Sequence, residues 1–188
     1  LTADKTYALN SAAAITGTTL DKLVLGTEMM GDNLIPSADL LDDISKVSKK
    51  VLFNFKGSSA ALIATVKSAK LLGTSLDKLQ TQGEGMLDIE SSLVKENKAK
   101  VMLGREINLD AARYFAMIGD TTNYLKEINK QAGSVDAYER MGMWQKNALA
   151  DALEMTSEEL ANFMGHKKDL QAIGLDDMQL QRKLEDIE

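Results

Sequence analysis

Apolar residues recur along this chain at spacings of three and four, in short runs divided by Gly, Ser, Thr and Asp, and no window alternates convincingly in the manner of a half-buried strand. The pattern predicts an all-α protein: a succession of short capped helices with one longer helix. An Ala-rich, weakly amphipathic stretch over 3–15 predicts a helix ended by Gly17. Thr18-Thr19-Leu20-Asp21 supplies a cap and an early acid, and opens a helix to about Met30. Gly31 to Pro36 is a turn. Ser37 is then placed as the cap of a helix with Leu40, Leu41, Ile44, Val47, Val51 and Leu52 on one face. Asp39, Asp42 and Asp43 near its start and Lys49 and Lys50 near its end suit the helix dipole. After a break at Lys56-Gly57-Ser58, the stretch Ala60 to Leu72 is apolar nearly all round, which places it inside a bundle or between subunits.

The segments Gly17 to Leu23 and Gly73 to Leu79 differ at one position, 56 residues apart. Two readings stand: one capping signal used twice, or a helical repeat. Gly83 and Gly85 are expected to loosen the start of the longest helix, Met86 to Leu103. Its middle, Lys95 to Lys100, reads as a solvated face. Gly104 closes it. Asn108 caps the next helix, which ends at Gly119; Asp120 or Thr121 opens another, ending at Gly133; Ser134 opens a short one to about Met141. Gly142 precedes a helix over Trp144 to Glu154 with Trp144, Ala148, Leu149 and Ala152 on one side. Thr156 and Glu159 form a capping box flanked by Met155 and Leu160 at the spacing of a hydrophobic staple, and a two-turn helix follows, to Gly165. Ile173, Leu180 and Ile187 are seven apart with Leu184 between the last two, the spacing of a first coiled-coil turn or of an ordinary amphipathic helix.

Composition narrows the function classes. The net charge of −6 speaks against a general nucleic-acid or anionic-membrane binder. Without cysteine there is no disulfide framework, thiolate metal site or Cys nucleophile. His166, the one histidine, has no companion ligands for zinc and no Ser–acid partner nearby; beside Gly165 it reads as a polar helix-end residue. Glu84, Asp88 and Glu90 suggest paired carboxylates, but a solvated face explains them. The glycines form no phosphate loop, and Gly83 and Gly85 read as helix ends. Ten methionines are read mainly as core fillers, with adaptable binding surface as the second use. No cofactor, metal site or enzymatic activity is expected. The chain runs from Leu1 to Glu188 with a helical pattern still in progress, and is read as a segment of a longer polypeptide.

From Gly83 to Met164 the sequence resembles a region of bacteriophage tail tape measure proteins and tape-measure-like tail structural proteins. The resemblance rests on Met86-Leu87-Asp88-Ile89-Glu90-Ser91-Ser92, Gly119-Asp120, Lys130-Gln131-Ala132-Gly133-Ser134, Gln145 with Ala148-Leu149-Ala150, and Met155-Thr156-Ser157-Glu158-Glu159-Leu160. It divides the chain into an N-terminal helical part over 1–82, a multi-helix part over 83–165 that carries the likeness, and a C-terminal helix over 166–188. It implies a virion protein of the tail interior, made in the host cytoplasm, that helps set tail length. The implied partners are copies of itself, as a homo-oligomer with a trimer favoured, and tail tube, hub or baseplate proteins. Membrane contact would arise only during infection, and no nucleic acid is implied. Leu62, Ile63, Val66, Ile173, Leu180, Leu184 and Ile187 are the expected interface residues. The alternative reading is an autonomous helical protein-binding module, an adaptor or chaperone-like bundle, with Ala60 to Leu72 at its centre.

Overall fold

The computed structural model describes residues 2–175 and residue 182. Among these the fold is all-helical: α1 (Ala3–Ile15), α2 (Leu20–Met30), α3 (Ser37–Lys46), α4 (Lys49–Leu52), a 3-10 turn (Phe53–Phe55), α5 (Ser59–Leu71), α6 (Leu76–Met86), α7 (Ile89–Leu103), α8 (Asp110–Ile118), α9 (Thr121–Ala132), α10 (Val135–Arg140), α11 (Met143–Ala152) and α12 (Ser157–Ala172). The C-terminal heptad positions Leu180, Leu184 and Ile187 lie outside the described residues, as does Met178.

Capping chemistry sets most boundaries. Thr19, Ser58, Ser75, Asp88, Asp120, Ser134 and Thr156 each accept a bond from a free N–H in the first turn of the helix they precede. At Thr156 the box closes both ways, with Glu159 N–H donating to the Thr156 hydroxyl at 3.1 Å and Thr156 N–H to the Glu159 carboxylate at 2.9 Å.

Four expectations need correcting. The single helix over residues 37–52 is broken: Ser48 is extended and caps α4, and Pro36, not Ser37, sits at the α3 N-cap. A Ser with a side chain able to satisfy the next turn competes with helix continuation there. Gly83 and Gly85 are interior to α6 rather than a helix start, and α7 begins only after Asp88. Gly83 allows α6 to approach α8, since a Cβ there would sit 3.2 Å from that of Ala116. The helix after Thr156 does not stop at Gly165 but runs through it and His166 to Ala172, which makes α12 longer than α7. A single Gly costs a helix about 1 kcal/mol, and burial of Phe163, Met164, Lys167 and Leu170 on either side outweighs that. Finally, α11 ends at Ala152, and Glu154 adopts φ +55, the one positive φ outside glycine among the described residues. The Glu154 carboxylate is held by the Lys95 ammonium at 2.7 and 2.8 Å, a contact that ties this turn to α7.

The repeated segment proves longer than its seven residues. Every boundary of the α1–α2 hairpin recurs 56 residues on in α5–α6, from Ala3 and Ser59 at the start to Met30 and Met86 at the end. Both turns close by the same bond, Thr18 N–H to Ala13 C=O at 2.8 Å and Thr74 N–H to Ala69 C=O at 2.9 Å, with Gly17 and Gly73 left-handed. Leu9, Ala12, Ala13 and Leu23 are buried in the first hairpin; Thr65, Ser68, Ala69 and Leu79 take those places in the second.

The second hairpin is the centre of the molecule. Helix α5 packs against α2, α3, α9 and α12, and α6 against α7, α8 and α9; α7 pairs with α11, and α12 covers α10 and α11. One continuous apolar cluster runs from Leu9 to Leu170. The sequence boundary at 82/83 falls inside α6 and that at 165/166 inside α12.

Near the α1–α3 junction, Asp42 pairs with Lys46 and Lys5. Bonds from Lys46 and then Lys5 lower its pKa from 3.8 to about 2. A depressed carboxyl contributes stability above its unfolded pKa and loses it as pH falls through the folded one. The α1–α3 contact should therefore weaken as pH drops from 3.8 toward about 2. An NMR titration of the Asp42 side-chain carboxyl carbon checks this: a midpoint at the ordinary Asp value would show that the pairs do not form.

Candidate interaction surface

The expected interface residues divide. Leu62, Ile63 and Val66 are buried inside the chain's own core, so of the two places open to the apolar α5 stretch, the bundle interior is the one it occupies. Ile173 is half exposed at the C-cap of α12. Leu180, Leu184 and Ile187 lie outside the described residues.

Helices α7 and α11 run antiparallel. Lys95 meets Glu154, Lys98 meets Asp151 at 3.7 Å, and the Gln145 amide donates to Met102 C=O at 3.0 Å. This arrangement brings the last turn of α7 to the first turn of α11. Four apolar side chains then stand outside the fold at one end of the pair: Val101 at 83 % exposure, Met102 at 36 %, Met143 at 67 % and Trp144 at 71 %. Met141 and Leu103 lie partly buried beneath, against the core. Trp144 therefore leaves the face it was expected to share with Ala148, Leu149 and Ala152, which are buried. Gly142 is the N-cap of α11 and its N–H is bonded by the Gln145 side chain at 2.9 Å, so Met143 and Trp144 begin the helix with their side chains outward.

Helix α7 is patterned against expectation. Leu93, Val94 and Val101 face water while Ser92, Glu96 and Ala99 face inward. The middle of α7 is thus not a solvated face: Glu96 accepts from Arg113 at 2.5 Å and from Lys100 at 3.0 Å. Arg113 also donates to Ser92 at 2.8 Å and to Asp110 at 2.9 Å. This buried cluster turns the polar side of α7 toward α8 and leaves its apolar side outside. Sequence reasoning passed over Arg113 because its partners are 17 and 21 residues away.

The methionines are divided too. Met86, Met155 and Met164 are core, while Met29, Met102, Met117 and Met143 are exposed, so the reading as core fillers holds for part of the set. A second exposed apolar row, Tyr114, Met117 and Ile118, runs along α8.

A cleft of about 630 Å³ opens between α3, α5, the α5–α6 turn and α12. Its floor is Val47, Val66, Ala69 and Leu76, and its rim holds Asp43, Lys46, Lys70, Asp77 and His166. The Lys70 ammonium donates to Asp43 at 2.7 Å, and Asp77 accepts from Ser48 N–H at 3.1 Å. His166 is a mid-helix residue lying over Gly73 rather than a helix-end residue, beside Asn162, whose amide donates to Gly73 C=O at 2.9 Å. Glu84, Asp88 and Glu90 do not converge. Glu84 pairs with Lys50 and Gln80, Asp88 caps α7, and Glu90 is exposed in the first turn of α7. Among the described residues no group of acids and His is placed to hold a metal ion, and no helix is long and apolar enough to cross a membrane.

The surface at the α7–α11 end carries the one tryptophan of the chain, 71 % exposed. Large apolar side chains grouped on a folded surface mark contact sites for other molecules, with Trp the residue type most enriched at their energetic centres. Comparison with protein-family models, curated proteins and solved structures found no match to the chain.

Proposed function

We propose that this chain is a helical assembly domain that acts by docking, and that it serves as a segment of a tail tape measure or tape-measure-like protein. The observation that carries the docking reading is the exposure of Val101, Met102, Met143 and Trp144 at one end of the antiparallel α7–α11 pair. The placement in a phage tail rests on the likeness over Gly83 to Met164. On this reading the chain meets tube, hub or baseplate proteins through the α7–α11 end, with three copies gathered about the tail axis.

The adaptor-like alternative draws on a different observation, the burial of Leu62, Ile63 and Val66 within one chain. It shares the docking surface and differs in the partner. Light scattering of the chain, alone and with purified tail tube and hub proteins, separates the two. A trimer, or a complex with a tail protein that Trp144→Ala weakens at least about tenfold, supports the tail reading. A monomer indifferent to every tail protein would leave only the adaptor reading.

A further inference from the structure

Thr74 follows Gly73 in the α5–α6 turn and lines the cleft between that turn, α3, α5 and α12. Its hydroxyl oxygen is buried and has no hydrogen-bond partner. Buried polar atoms are nearly always paired, so an orphan in the wall of a cleft marks a place where a bound molecule can supply the partner. His166 of α12 stands over the same turn, and its imidazole is not hydrogen-bonded among the described residues. The floor beneath them, Val47, Val66, Ala69 and Leu76, is apolar. At about 630 Å³ the cleft falls in the size range of sites that enclose a small organic molecule. The charges at its mouth are already engaged. Lys70 donates to Asp43 at 2.7 Å, and Lys46 pairs with Asp42 and lies 4.0 Å from Asp43. Asp77 accepts from Ser48 N–H at 3.1 Å and stands in the first turn of α6, where the helix dipole balances its charge.

We infer that this cleft binds an uncharged, largely apolar small molecule that ends in a hydroxyl group, its apolar body on Val47, Val66, Ala69 and Leu76 and its hydroxyl between Thr74 and His166. A ligand hydroxyl both donates and accepts a hydrogen bond. Thr74 offers the same two functions, and a neutral imidazole has one donor and one acceptor nitrogen. A ligand carbonyl could only accept. A carboxylate or an ammonium would leave its hydration shell for a floor where no counter-ion waits, and is selected against. The cleft shares no residue with the α7–α11 surface, so this inference is independent of the docking reading.

The test uses the whole chain and probes that share one ring system: 2-naphthol, 2-methylnaphthalene, 2-naphthoate and 2-naphthylmethylammonium. His166 is the sole histidine, so its ring signals in an NMR titration report binding at this cleft. 2-Naphthol should shift them saturably below about 1 mM and bind about tenfold or more tighter than either charged probe. Thr74→Val keeps the side-chain shape and removes the orphan oxygen. It should weaken 2-naphthol by about threefold to tenfold and leave 2-methylnaphthalene unchanged, because only the hydroxyl loses a partner. A His166 ring unmoved by 2-naphthol, or charged probes that bind as tightly as 2-naphthol, overturns the inference on the unaltered chain alone. So does a Thr74→Val protein that binds 2-naphthol undiminished, or that loses 2-naphthol and 2-methylnaphthalene equally.

Discussion

Arg113→Ala is expected to lose about 3–5 kcal/mol of folding stability, because it strands the Glu96 carboxylate in a site where both side chains are nearly buried. Burial pulls the Arg113 guanidinium's pKa down, but the bonds from Glu96 and Asp110 outweigh it, the net direction is upward, and the group stays charged. The cost of the substitution is therefore that of an unpaired buried anion and a cavity together. Lys100, 3.0 Å from the other Glu96 oxygen, limits the loss but cannot replace the Ser92 bond. Replacing both partners by apolar residues of similar volume, Arg113→Met with Glu96→Leu, should recover most of the loss, since no charge is then left behind. Urea unfolding of the two variants beside the parent protein measures this. A loss below about 1 kcal/mol for Arg113→Ala would place the pair in the range of exposed ion pairs and contradict the buried geometry.

Gly73→Ala and Gly17→Ala form a matched pair in the two copies of the hairpin. Both glycines are left-handed, at φ +68 and +75, so each alanine incurs about 1–2 kcal/mol of backbone strain. Only Gly73 is also crowded. A Cβ there would sit 2.3 Å from His166 Cδ2 and 2.8 Å from Asn162 Nδ2, whereas at Gly17 the nearest atom is Gly57 Cα at 3.7 Å. The α12 ring and amide must move aside, which adds a further 1–3 kcal/mol or so to Gly73→Ala. His166→Ala in the Gly73→Ala background should remove part of that excess and do nothing for Gly17→Ala. Equal losses for the two single variants would mean that α12 does not approach the α5–α6 turn this closely.

The all-helical class and most helix starts were legible because capping is local. Thr19, Ser75, Asp120, Ser134 and Thr156 act within three residues of where they stand, and the chain announces them. Helix ends that depend on tertiary contact were not legible. Gly165 looks like a terminator, but Met164 and Leu170 find partners on either side of it and the helix continues. Ser48 looks like a mid-helix serine, but Asp77 accepts its N–H from 29 residues away and the helix breaks. The interaction surface was hidden for the same reason. The apolar side of α7 is conventionally its inner side, and only Arg113 on α8 reveals that the polar side is the one buried. Its one local clue was Met141, Met143 and Trp144 crowded about Gly142. Met143 is exposed and Met141 only partly buried, so neither is the full core filler that the first use weighed for methionine describes.

The two hairpins share their boundaries but not their neighbours, and that should be visible in what each tolerates. Thr6, Tyr7 and Asn10 of the first stand where Leu62, Ile63 and Val66 stand in the second. The first three lie at or near the surface, whereas the second three are covered. If one hairpin descends from the other by duplication, the older pattern has been rewritten along the first helix of the pair, at inner and outer positions alike, and left alone at the turn from Gly17 to Leu23 and from Gly73 to Leu79. In a saturation screen for soluble expression, positions 6, 7 and 10 should accept almost any polar residue, while positions 62, 63 and 66 accept only apolar ones. A version of the protein shorn of its first 56 residues should fail to stay in solution, because the surviving hairpin has become a surface that its twin was needed to hide.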